Sequence, residues 1–309
     1  SPLSSSSAAS DVYKRQDQLR FTGAMTDLAT LIREPKIDTH LHLLDPARHG
    51  YAAETAYHPA GQELCTLDYL RPLLATHGVG KAVLVQPTSG YGPDNTALLE
   101  ALAAAQGAWR GIAVLAPDIS IEALAALKAQ GIIGAAFQMP AYPPGHFRTH
   151  AGLIEKLAAL DMVLDLQFEG EQVFEAIALI EESEVRVVID HCGRPDLAAG
   201  LDGFAFRALK CLAEREAPTC IKLSGLHKFA PFPWPFEGAH TVVAELLRAF
   251  GPQRCIWGSD LPYLRLPERL DYGMSLALAG RLFPDPAVRA QVMHETAEEM
   301  FFFDTSLKG

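Results

Sequence analysis

The strongest constraint on how this chain folds is a rhythm. From residue 36 onward, short β-branched runs alternate with longer stretches whose apolar residues recur at three and four spacing. The short runs lie at 37–42, 82–87, 111–117, 132–139, 162–168, 185–191, 220–224 and 254–258. The stretches between them, at 64–77, 95–106, 121–130, 151–160, 171–182, 204–215 and 240–250, read as amphipathic helices. Asp94 and Ser120 stand where N-caps belong, and Gly131 and Gly251 where a left-handed residue closes a helix. Strands separated by helices pair in parallel, because a parallel neighbour needs a long crossover. Eight such units predict a (β/α)8 TIM barrel, α/β in class, with an open doubly wound sheet as the alternative.

The placement of polar residues favours the barrel. His40, His42, Gln86, Gln138, Gln167, His191, Ser224, Ser259 and Asp260 all fall at the downstream ends of different strands. A barrel gathers those ends round one mouth, whereas an open sheet spreads them along a line. Nothing resembles an interdomain linker, so residues 25–309 are expected to form a single domain. Residues 1–24 begin without Met, are rich in Ser and Ala, and show no sustained periodicity. They are set aside as a disordered or non-native segment.

With 49% hydrophobic residues in 309, the chain can bury a core of barrel size. A net charge of -11 argues against a general binder of nucleic acid or of anionic membranes, both of which require a basic surface. No apolar run approaches the roughly 20 residues of a membrane span. Cys65, Cys192, Cys211, Cys220 and Cys255 are scattered and read as core thiols of a reducing compartment, so the expected location is the cytoplasm.

Chemistry concentrates in four stretches. In KIDTHLHLLD, residues 36–45, His40 and His42 stand two apart on a strand and so share a face. VVIDHCGRPD, 187–196, ends the sixth strand in Asp190 and His191. IKLSGLHKF, 221–229, places Lys222 and Ser224 on one side of the seventh strand, with His227 and Lys228 in the loop beyond. IWGSDLPY, 256–263, ends the eighth with Asp260, although Ser-Asp-x-Pro also suits a turn. A carboxylate at Asp260 can take a proton from water while imidazoles polarise the carbonyl under attack. The same residues can instead hold Zn²⁺ with an open position. Residue types and spacing leave both open.

Taken together these motifs, with VLVQPTSGYGPDN at 83–95 and RGIAVLAPDIS at 110–120, resemble the amidohydrolase superfamily over residues 36–303. The resemblance is to its lactonase-like, amidohydrolase-related group, which includes pyrone-dicarboxylate and sugar-lactone hydrolases. It implies a barrel hydrolase that opens a lactone of a sugar acid or dicarboxylic acid, with Asp260 activating water and His40, His42 and His191 polarising the carbonyl. His227, Lys228, Gln86, Gln138, Gln167 and Ser224 are the expected substrate contacts.

Three departures matter. Ala135 and Ala136 stand near where the pyrone-dicarboxylate branch carries an Arg, and Lys228 takes the place of a second. Asp165 stands on the fifth strand where many relatives have His. The expectation is therefore that no metal is required. The alternative is one divalent ion such as Zn²⁺ held by His40, His42 and Asp260. A metal-dependent decarboxylase, a lactone isomerase and a non-catalytic small-molecule binder remain the competing readings. Other basic candidates at the mouth are Arg48, Arg148, Arg194 and Arg265. The expected partner is a small-molecule lactone, and a homo-oligomer stays open.

Overall fold

The computed structural model describes residues 26–55 and 57–303, so the segment set aside at 1–24 lies outside the described residues. Strands β1 (Ile37–Leu41), β2 (Lys81–Val85), β3 (Trp109–Ala113), β4 (Ile132–Gln138), β5 (Val163–Gln167), β6 (Arg186–Ile189), β7 (Thr219–Lys222) and β8 (Cys255–Ile256) follow one another in sequence order in a single sheet. Each pairs in parallel with the next. All eight expected strands form. β8 is the shortest, because beyond Ile256 the chain leaves the ladder. Closure onto β1 runs through an isolated parallel bridge between Leu41 and Leu261. Asp260 N also donates to His40 O at 2.8 Å, and His42 N to Leu261 O at 2.9 Å. The barrel closes at the point where the site is built.

The seven expected helices are present, as Leu67–Thr76, Thr96–Ala105, Ile121–Ala129, Ala151–Ala159, Gln172–Ile180, Phe204–Cys211 and His240–Phe250. Ser120 caps the third of these by accepting from Ala123 N. Leu28–Arg33, Tyr272–Leu282, Pro286–Ala290 and Thr296–Met300 were not expected. Two of them carry readable start signals. Asp27 accepts from Thr30 N, and Asp285 accepts from Ala287 N and Val288 N ahead of Pro286.

Alternation along each strand sorts side chains into two layers. Val83, Val85, Val163, Val188, Cys220 and Ile256 pack inside the barrel, while Leu84, Leu164, Leu166, Val187 and Ile221 pack outward under the helices. Strand β1 breaks this parity. Ile37 points inward and Leu41 outward, four residues on, so the face must switch between them. The β1–β2 register does shift between Asp38 and Leu41. This irregularity turns His40 and His42 toward the axis.

Cys65, Cys192, Cys220 and Cys255 are buried, but Cys211 is exposed, contrary to the expectation of five core thiols. It ends helix Phe204–Cys211 on the solvent side. Burial pushes the Cys65, Cys192 and Cys220 thiols up to about 12. Among the described residues, no helix is long and apolar enough to cross a membrane.

Candidate active site

Asp260 lies at the mouth of the barrel, 1% exposed, in the left-handed region at φ 63°. That conformation is costly for a residue with a Cβ, and it aims the carboxylate into the barrel. His191 takes the same region at φ 49°, so that both Asp190 and His191, consecutive in sequence, reach the interior. Two close approaches complete the arrangement. A Cβ on Gly258 would lie 2.8 Å from His40 Cβ, and one on Gly225 would lie 2.3 Å from His191 Nδ1. Each glycine makes room for a histidine.

Three imidazoles converge on one oxygen. His42, His40 and His191 place Nε2 at 3.6, 3.7 and 3.9 Å from Asp260 Oδ1, too far for hydrogen bonds. His227 Nε2 and Lys228 Nζ approach the other oxygen, Oδ2, at 3.2 and 3.4 Å. Neither is aligned for a hydrogen bond, so Asp260 Oδ2 and His227 Nε2 are buried without a partner among the described residues. Although burial disfavours its charge, Lys228 and the imidazoles hold the Asp260 carboxyl well below the usual range. Burial likewise pulls His40 down to about 4 and His191 well below its ordinary value. At neutral pH the site therefore contains an ionised carboxylate facing uncharged His40 and His191.

The outer nitrogens define which way the imidazoles look. His42 Nδ1 lies 2.8 Å from Val85 O, which can only accept, so His42 Nε2 offers its lone pair to the mouth. His191 Nδ1 meets Ser224 Oγ at 3.2 Å. His40 Nδ1 has Asp190 Oδ1 at 3.2 Å and Lys222 Nζ at 3.0 Å. Lone pairs aimed at a carboxylate repel it unless a cation lies between them. The ligand atoms of His40, His191 and Asp260 all fall within 4.8 Å of one another, and His42 reaches the same oxygen. This donor set fits a divalent ion. It supports the alternative of one metal over none, and it brings in His191 beside the expected His40, His42 and Asp260.

Asp165 forms an ion pair with Lys222 at 2.6 Å below the mouth and is not among the groups around Asp260. It reaches the upper cluster through Lys222 and His40. Lys222, fully buried, also lies 2.8 Å from Asp190 Oδ1.

The other expected contacts divide. Gln86 Nε2 donates to Gly92 O and Asp94 O, and Gln138 accepts from Thr88 N and donates to Gln86 O. Both amides secure the loop after β2. Ser224 meets His191, and half-buried Gln167 pairs in register with Gln138. Arg48 pairs with Glu100 at 2.9 Å on the surface, and Arg194 with Glu169 at 3.0 Å. Arg265 stacks over Tyr57. Arg148 is exposed. Sequence reading did not single out a role for Tyr272, whose hydroxyl donates to Asp38 Oδ2 at 2.9 Å. Asp38 Oδ1 in turn accepts from Ser259 N at 2.9 Å and His40 N at 3.2 Å, tying β1 to the residue before Asp260. The signal was Asp38 itself, a carboxylate inside an apolar strand.

A barrel with His-x-His on its first strand, His on the sixth and Asp on the eighth defines a hydrolase-type site at the C-terminal mouth. The amidohydrolase family model, Amidohydro_2, matches residues 37–303, and the chain belongs to that family. It is 30% identical to a 4-sulfomuconolactone hydrolase from Rhizobium radiobacter, the match covering 85% of this chain and 89% of that one. It is 25% identical to a 2-pyrone-4,6-dicarboxylate hydrolase from Comamonas testosteroni, covering 86% and 90%. The crystal structure of a probable 2-pyrone-4,6-dicarboxylic acid hydrolase from Acinetobacter baumannii, with citric acid bound, superposes with a TM-score of 0.79 at 24% identity, over 86% of this chain and 99% of that one. At that identity the likeness speaks for the fold.

Proposed function

We propose that the chain hydrolyses a small lactone bearing an anionic substituent, with one divalent ion at the mouth. The observation that carries this reading is the two-sided environment of Asp260. Oδ1 faces three imidazole nitrogens, while Oδ2 lies buried between His227 and Lys228 with no hydrogen-bond partner among the described residues. His40, His42, His191 and Asp260 would hold the ion, which when bound supplies positive charge to polarise the ring carbonyl. Asp260 takes a proton from the attacking water and returns it to the ring oxygen as the acyl C–O bond breaks, leaving an alcohol and a carboxylic acid that releases its own proton to solvent. Lys228, 18% exposed in its side chain, is the basic group that meets substrate. Its ammonium is spent on Asp260 and on Leu264 O at 3.0 Å. An anionic substituent would draw it from the carboxylate, and Asp260 would become more basic as substrate binds.

Acid release from a panel of sulfonated, carboxylated and sugar lactones tests the reading. Turnover is expected to be fastest on a lactone with one anionic group. If every lactone is inert while an aromatic carboxylate is decarboxylated, the reaction assigned here is wrong.

A further inference from the structure

Three buried groups beneath His40 are given no part in the reaction above: Lys222, Asp165 and Asp190. Lys222 on β7 reaches Asp165 Oδ2 on β5 at 2.6 Å, Asp190 Oδ1 after β6 at 2.8 Å and His40 Nδ1 on β1 at 3.0 Å. All four side chains are buried. His40 Nδ1 therefore has a pure donor and a pure acceptor within reach at once, since Asp190 Oδ1 stands at 3.2 Å. It can satisfy only one. If Lys222 donates to Nδ1, the imidazole proton sits on Nε2 and points toward Asp260 Oδ1, 3.7 Å away. If Nδ1 carries the proton and donates to Asp190, the Nε2 lone pair points toward Asp260 instead.

The mouth decides between the two. Facing the bare Asp260 carboxylate, an N–H on Nε2 is attracted and a lone pair repelled, and Lys222 Nζ lies nearer to Nδ1 than Asp190 Oδ1 does, at 3.0 against 3.2 Å, so the Lys222 arrangement is the stable one. With a cation between His40 and Asp260, only the lone pair can bind it. The Lys222 ammonium then stays held by the two carboxylates it already meets, Asp165 Oδ2 at 2.6 Å and Asp190 Oδ1 at 2.8 Å.

We infer that Lys222 and Asp190 are a positioning pair that sets the tautomer of His40, Lys222 donating to Nδ1 when no cation is bound and Asp190 accepting from Nδ1 when one is. The exchange moves a proton between two nitrogens of one ring and leaves the net charge unchanged. The inference rests on the proposed ion at the mouth for its second half only.

The test is ¹⁵N NMR of the full chain labelled at histidine, with His40 assigned by comparison with His40→Asn. In protein stripped with a chelator, His40 is expected as the Nε2–H tautomer. On adding Zn²⁺ it is expected to change to Nδ1–H, with uptake followed by equilibrium dialysis. Lys222→Met removes the donor, and its His40 should be Nδ1–H even without Zn²⁺. Nδ1–H in the stripped wild-type protein overturns the inference, and so does Zn²⁺ uptake with His40 unchanged. Absence of uptake overturns the metal reading and the exchange, while the first spectrum still decides the role of Lys222. A Lys222→Met variant that does not fold leaves both wild-type spectra decisive.

Discussion

At Asp260, one side chain has two oxygens in different surroundings, and a substitution can separate their work. Asp260→Asn keeps the shape but cannot take a proton from water. Loss of a general base typically costs about 10²- to 10⁴-fold, or roughly 3 to 5 kcal/mol of transition-state stabilisation. The expected outcome is a collapse of kcat with KM little changed, and wild-type kcat would remove Asp260 from the proton transfer. Lys228 stands beside the same carboxylate at 3.4 Å, yet its role on this reading is recognition. Lys228→Ala should raise KM for an anionic lactone far more than for a neutral sugar lactone. An equal rise for both would show that Lys228 serves only to hold Asp260. These residues were legible because chemistry needs particular side chains at strand ends. The strained backbone at His191 and Asp260 was not, since nothing in a Cys-Gly or Leu-Pro neighbour states that the preceding residue is left-handed.

The elements carrying those residues were read from periodicity, and all eight strands and seven helices came out of it because buried strands and amphipathic helices differ in period. What periodicity could not reach is the irregularity in β1, where the face switches between Ile37 and Leu41. Register belongs to a pair of strands, so one strand's sequence does not contain it. Nor does a single strand show that Gln86 and Gln138, expected as substrate contacts, also make hydrogen bonds to the loop after β2 and to each other. The loop after β7 gives the sharpest test at this scale. Gly225 has φ 59° and passes so close to His191 that a Cβ would stand 2.3 Å from Nδ1. Gly225→Ala must adopt an unfavourable φ, at about 1–2 kcal/mol, and must also push the imidazole aside. Urea unfolding should show that loss of stability, and kcat should fall by more than the loss of folded protein explains. Wild-type kcat in the folded variant would mean that the position of His191 does not matter to the reaction.

Across the whole molecule the barrel separates chemistry from stability, and each end has its own experiment. At the mouth, three buried imidazoles and the buried Asp260 carboxylate are expected to bind a divalent ion, and a ligand at 100 times its Kd stabilises by about 2.7 kcal/mol. Chelation should therefore lower both Tm and activity, and Zn²⁺ should restore both. Unchanged Tm and activity after metal removal would leave the imidazoles and carboxylate working as protein groups alone. The opposite end is covered by residues 301–303. Phe301 is fully buried in the interior cluster with Ile37, the first residue of β1, while Phe302 O accepts from Arg110 on β3 at 3.0 Å. Arg186 at the start of β6 lies over the Phe302 ring, and Lys81 at the start of β2 over Phe303. These contacts all lie where strands begin, the end of the barrel that serves stability. Removing a buried phenyl ring costs about 3–5 kcal/mol through lost burial and the cavity left behind. Phe301→Ala should accordingly lower Tm substantially while KM and kcat, measured below the transition, stay near wild type. A variant that keeps its Tm but loses kcat would show that the two ends are coupled through the barrel interior.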